Sequence, residues 1–162
     1  MILNKYWKAR IPGWIGLAAV LLLTTVIYWP GLNSRFLGDD YVNLSDLDSV
    51  SEYGYLYYIF GSGNAGPSGR PISLATFALQ HNSWPDLPFN FKLVNLIIHL
   101  ANGCLIFFIS QFLANMLMRG RSRTILPIMV TVLWLLHPML LTTTLYTVQR
   151  MTLLSAFFTP FF

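Results

Sequence analysis

Residues 91–118 read FKLVNLIIHLANGCLIFFISQFLANMLM, an apolar run without a single acid. As a helix at about 1.5 Å per residue it reaches about 42 Å, enough to cross a hydrocarbon core of about 30 Å. Three arginines follow at once, Arg119, Arg121 and Arg123. Working backwards, residues 11–30 form a second charge-free run, preceded by Lys5, Lys8 and Arg10 and closed by Tyr28 and Trp29. Working forwards, residues 124–146 form a third. Residues 148–162 open a fourth, which is interrupted by Pro160 and too short for an ordinary span. That short end leads us to expect a fragment, or the N-terminal module of a longer protein.

The composition agrees with this pattern. Of 162 residues, 55% are hydrophobic and 10% charged, where a soluble domain averages about 25% charged. The predicted fold class is all-α: a polytopic helical membrane protein with three to four transmembrane helices. Residues 1–162 form one membrane module, with a large first outer loop over 31–90 containing short interfacial helices. The net charge of +4 does not point to nucleic acid. Six of the ten cations sit in the two clusters flanking apolar runs, and no acid lies with them. That bias places the N-terminus in the cytoplasm. A cleaved signal peptide is the rival for residues 11–30. However, Trp29-Pro30-Gly31-Leu32 lacks the small-x-small pattern of a cleavage site. Cys104, the one cysteine, allows no internal disulfide and falls in an apolar run.

All six acids lie between Asp39 and Asp86. Asp39 and Asp40 come first after the exit of the first apolar run, in Phe36-Leu37-Gly38-Asp39-Asp40-Tyr41. A carboxylate there can act as general base or help to hold a divalent cation. The pair can equally cap a helix starting near Tyr41, and one aspartate can cap while the other works. Asp40, beside that helix start, is the preferred base. Further along, residues 61–69 are a Gly- and Ser-rich loop, and Ile72–Gln80 fits a short helix lying along the membrane behind Pro71. Nine residues reach about 14 Å as a helix, too little to cross.

Asn95, His99 and Asn102 fall at i, i+4 and i+7 on one helix face. Polar groups at membrane depth face the protein interior or a wet cavity, and they can also hydrogen-bond helices together. His99 has no partner at metal-ligand spacing, so no resident metal site is read there. His137-Pro138 sits near the outer end of the third run, where the proline breaks the helix and frees a carbonyl. Gln149 and Arg150 follow Tyr146. Arg150 and Arg70 each fit a two-pronged phosphate contact or an interfacial arginine reaching to headgroups.

Taken in order, five motifs carry a resemblance: Phe36 to Tyr41, Gly69 to Leu74, Leu93 to Gly103, Leu136-His137-Pro138, and Tyr146-Thr147-Val148-Gln149-Arg150. Together they resemble the N-terminal part of GT-C membrane glycosyltransferases, closest to the TPR-carrying transmembrane O-mannosyltransferases and their bacterial relatives. The resemblance implies a polyprenyl-phosphate sugar donor, a hydroxyl acceptor on protein or lipid, and transfer on the outer face, in a bacterial inner membrane. It implies Asp39 or Asp40 as catalytic base, Arg70 and Arg150 on the donor phosphate, and Asn95, His99, Asn102, His137 and Gln149 around the pocket. The competing class is a non-catalytic membrane anchor, accessory subunit or truncated relic. A transporter fits less well, because no acid lies at membrane depth to relay charge.

Overall fold

The computed structural model describes residues 13–61 and 70–161. The expectations for Lys5, Lys8 and Arg10, and for the Gly-rich loop after Gly61, lie outside the described residues. Among those described, the regular structure is entirely helical. Helix α1 spans Gly13–Tyr28 and runs on as a 3-10 turn, Trp29–Asn33. Four short helices follow: α2 (Gly38–Leu44), α3 (Ser49–Tyr53), α4 (Tyr55–Phe60) and α5 (Pro71–Ala78). Helix α6 (Pro88–Leu117) is the longest. Then come α7 (Ser122–Leu135), α8 (Pro138–Leu145) and α9 (Arg150–Phe158).

Prolines set three of the helix starts. Pro71, Pro88 and Pro138 open α5, α6 and α8. The first helical position loses nothing by lacking an N–H, and the proline ring fixes φ near its helical value. The third run, residues 124–146, is divided at the break expected from His137-Pro138. The chain breaks at Leu136–His137, and α7 and α8 meet at a 57° bend. Among the described residues two elements are long and apolar enough to cross a membrane, Gly13–Asn33 and Pro88–Leu117, and the bent α7–α8 pair makes a third if it counts as one span.

Helix α6 is the hub, packing against α1, α7, α8 and α9. Small residues sit at two of the crossings. A Cβ added at Gly16 would run into Ile128, and one at Gly103 would run into Leu135, so the backbones approach closely. Away from these seams the long helices turn large apolar side chains outward: Leu22, Val26, Phe108, Phe112 and Leu117 are all exposed.

The connection between α1 and α6 has a core of its own. Phe36, Leu44, Leu47, Tyr58, Leu74, Phe77, Phe91 and Met151 pack into one buried cluster. The helix expected over Ile72–Gln80 is α5. Its Leu74, Phe77 and Ala78 are buried in that cluster, while Ile72 and Leu79 stay exposed. A second, smaller cluster of Tyr28, Leu32 and Leu96 joins the end of α1 to α6.

Candidate functional site: an acidic helix turn and its supports

Helix α2 begins at Gly38, three residues before the start expected at Tyr41. Leu37 precedes it in extended conformation and serves as N-cap. A leucine side chain accepts no hydrogen bond, so the cap is closed by other groups. The Asp40 Oδ2 accepts the Leu37 N–H at 3.0 Å, and the Leu37 carbonyl accepts the Asp40 N–H at 2.9 Å. This is the carboxylate half of a capping box with the backbone supplying the other half. The Asp40 Oδ1 accepts the Val148 N–H at 2.8 Å. Both oxygens are therefore held by amides, and the side chain is fully buried. Asp40 fastens α2 to the turn before α9.

Asp39 has the opposite surroundings. It is exposed, and only its backbone carbonyl is engaged within α2, accepting from Asn43 Nδ2 at 2.8 Å. The Tyr146 hydroxyl hydrogen-bonds to the Asp39 carboxylate. Burial, then the charges of Asp39 and Asp40, hold that phenol above its ordinary range. Asp40, the preferred base, does the capping, while Asp39 keeps an exposed carboxylate whose neighbour is the Tyr146 hydroxyl. A cation cradled by both carboxylates does not fit this arrangement, since the Asp40 oxygens face amide donors. Among the described residues no group of three or more His, Cys, Asp or Glu side chains gathers to hold a metal.

The two arginines also separate. Arg70 is exposed and gives one donor, Nη1, to the Met151 sulfur at 2.9 Å. A thioether is a weak acceptor, and among the described residues it is the one hydrogen-bond partner of this guanidinium. Arg150 is completely buried. Its Nε donates to Asn95 Oδ1 at 2.8 Å. Nη1 donates to the Thr76 carbonyl at 3.1 Å and hydroxyl at 3.3 Å. Nη2 donates to Gln80 Oε1 at 2.7 Å and the Phe91 carbonyl at 2.9 Å. The guanidinium carbon lies 4.3 Å from the Phe77 ring centre, a cation–π contact. Burial lowers its pKa, but a guanidinium stays charged. All five N–H groups of Arg150 are spent on the protein.

The polar face of α6 is likewise spent internally. Asn95 Nδ2 donates to the Tyr146 and Thr147 carbonyls at 3.1 and 3.2 Å. Asn102 Nδ2 donates to the Leu153 carbonyl at 2.9 Å. The His99 Nε2 pairs with the Leu135 carbonyl at 3.0 Å, and the same carbonyl accepts the Tyr28 hydroxyl at 3.1 Å. Leu135 is the last residue of α7, and the Met139 N–H that would continue the helix onto its carbonyl goes to His137 Nδ1 instead. His99 is sandwiched between the Tyr28 and Trp134 rings, and its Nδ1 is buried with no partner among the described residues. His137 is exposed and caps α8, accepting the Met139 N–H on Nδ1 at 3.3 Å. Gln149, half-buried, accepts from the Thr152 hydroxyl at 2.8 Å.

The structure therefore brings Asp39, Asp40, Arg70, Asn95 and Arg150 around one short segment, residues 146–151. It leaves His99, Asn102 and His137 apart from it. Sequence reasoning gave no role to Lys92, which is fully buried in the second turn of α6. Its ammonium reaches the connection just upstream of α2. No spacing signal marks it, because its acceptors lie 57 and 58 residues away. Thr25, Val26, Trp29 and Pro30 line an apolar groove at the end of α1. Comparison with protein-family models, with curated proteins and with solved structures finds no match.

Proposed function

We propose that this chain is a membrane-embedded, GT-C-like glycosyltransferase module with its N-terminus in the cytoplasm of a bacterial inner membrane. It transfers a sugar from a polyprenyl-phosphate donor to a hydroxyl acceptor on the outer face. One observation carries the proposal. Asp40 anchors α2 to residue 148, and this leaves Asp39 exposed on a fixed helical turn, above the segment that also supports Arg70. In the reaction the acceptor oxygen bonds to the sugar's anomeric carbon while the bond to the phosphate oxygen breaks. Asp39 takes the hydroxyl proton, and the lipid phosphate leaves with the electron pair. Arg70, exposed and among the described residues bonded to the Met151 sulfur alone, is the phosphate partner. Arg150 shapes the floor. The apolar groove at the end of α1 has the chemistry of an isoprenoid seat.

The test is transfer of labelled sugar from polyprenyl phosphate in membranes, with melting followed in detergent. Asp39→Asn should reduce turnover by about 10² to 10⁴, the usual cost of losing a general base, with melting unchanged. Asp40→Asn should lower stability by about 1–3 kcal/mol, because charge-assisted bonds to two amides weaken. Wild-type turnover in Asp39→Asn would remove the base assignment. A second reading, donor binding without transfer, is favoured by the internal use of Arg150, Asn95 and Asn102, which leaves few open polar groups. Donor binding by a chain that supports no transfer would establish it.

A further inference from the structure

We infer that Lys92 is the positioning residue that aims the Asp39 carboxylate. The side chain climbs from the second turn of α6 and spends its three donors on two neighbouring residues. Nζ donates to the Ser34 carbonyl at 2.8 Å, to the Arg35 carbonyl at 2.9 Å, and to the Ser34 hydroxyl. A lysine has only three donors, so its capacity is filled. None of the acceptors is a carboxylate. Burying an ammonium without a counter-ion in contact is expensive, and an apolar side chain would fill the same space without that cost.

The position of the grip explains what the lysine does. Ser34 closes the 3-10 turn after α1, its hydroxyl donating to the Gly31 carbonyl at 2.7 Å. Phe36, next in sequence, is buried with its ring 5.5 Å from Phe91 and 4.9 Å from Trp84. Phe91 and Lys92 thus hold three consecutive residues, 34 to 36, from one turn of α6. Three residues later Asp39 points to solvent, and Asp40 is tied to Val148. The acidic turn is gripped upstream by α6 and downstream by the turn before α9. Asp39 itself meets the Tyr146 hydroxyl, and the two grips set the turn that carries it. Ser34 and Arg35 are exposed, so their carbonyls can take water if the lysine is removed. Losing Lys92 then loosens the turn without unfolding the protein.

The inference rests on the proposed transfer reaction only for its kinetic arm. The experiment is amide hydrogen exchange on the full chain in lipid nanodiscs. Lys92→Met should speed exchange of the amides of residues 36–41 about tenfold or more, the scale of losing hydrogen bonds to a charged group. Residues 13–28 and 100–117 should be unchanged. Lys92→Arg, which keeps a cation with several donors, should restore most of the protection, and Ser34→Ala should give a smaller rise in the same place. In transfer assays Lys92→Met should lower kcat about 10- to 100-fold with donor KM unchanged, as a misplaced base does. Wild-type exchange over residues 36–41 in Lys92→Met overturns the inference. If that variant exchanges faster everywhere, Ser34→Ala decides: no local rise there overturns it as well. Faster local exchange in a chain whose wild type transfers nothing upholds the clamp and removes the transfer reaction.

Discussion

Arg150 carries five N–H groups, and they end on the oxygens of Thr76, Gln80, Phe91 and Asn95, with the Phe77 ring 4.3 Å from the guanidinium carbon. Only a planar fork serves four residues on two helices and the turn between them at once. Arg150→Lys keeps the charge and loses the fork, so at least two acceptors lose their donor. We expect it to destabilise the protein by about 3 kcal/mol or more, close to the cost of Arg150→Met, read as melting in detergent. Equal stability of Arg150→Lys and wild type would mean that charge alone matters. Little of this was legible beforehand. Arg150 follows a polar turn and so looked like a surface cation. Its acceptors come from 55 to 74 residues upstream, and two are backbone carbonyls that carry no sequence signal. Burial of Tyr58 is equally invisible in a run of tyrosines, yet burial is the main cause that raises its hydroxyl well above the ordinary value.

The contact of α6 with α7 turns on one missing side chain. A Cβ at Gly103 would lie 2.7–2.8 Å from three carbons of Leu135, the residue whose carbonyl Tyr28 and His99 share. Overpacking such a seam costs about 1–3 kcal/mol. Gly103→Val should therefore lower the melting point clearly. Gly38→Ala, where nothing lies within 4 Å, should stay within about 0.5 kcal/mol of wild type. A neutral Gly103→Val would show that α6 and α7 are not pressed together there. At this scale the sequence was informative. Hydropathy located α1 and α6 to within a few residues, and His137-Pro138 announced the break. The periodicity of Asn95, His99 and Asn102 correctly gave one face. It could not choose between a wet cavity and packing, because that depends on what the opposing helices present.

For the whole molecule, the proposed direction across the bilayer rests on the separation of charge. Every acid precedes α6, and Arg119, Arg121 and Arg123 follow it. The proposed topology puts residues 31–87 outside and the α6–α7 turn inside. In a Cys104→Ser background, a reagent that cannot cross the membrane should label Ser51→Cys on whole cells and spare Ser122→Cys. Both positions are exposed, so the reverse pattern would invert the protein. The compact core of the α1–α6 connection was not foreseen. Its side chains come from α2 to α5, from the start of α6 and from Met151, and no single amphipathic period registers such a mixture.

The three side chains on the polar face of α6 share a property with an evolutionary consequence. Asn95, His99 and Asn102 each bond to main-chain carbonyls, those of Tyr146, Thr147, Leu135 and Leu153. The far half of every such bond is the same whatever amino acid stands there. For these hydrogen bonds alone, a substitution at residue 135, 146, 147 or 153 calls for no compensating change at Asn95, His99 or Asn102, although the Leu135 side chain remains tied to Gly103 by packing. Paired-substitution statistics would pass over these contacts, however closely they hold the helices in register.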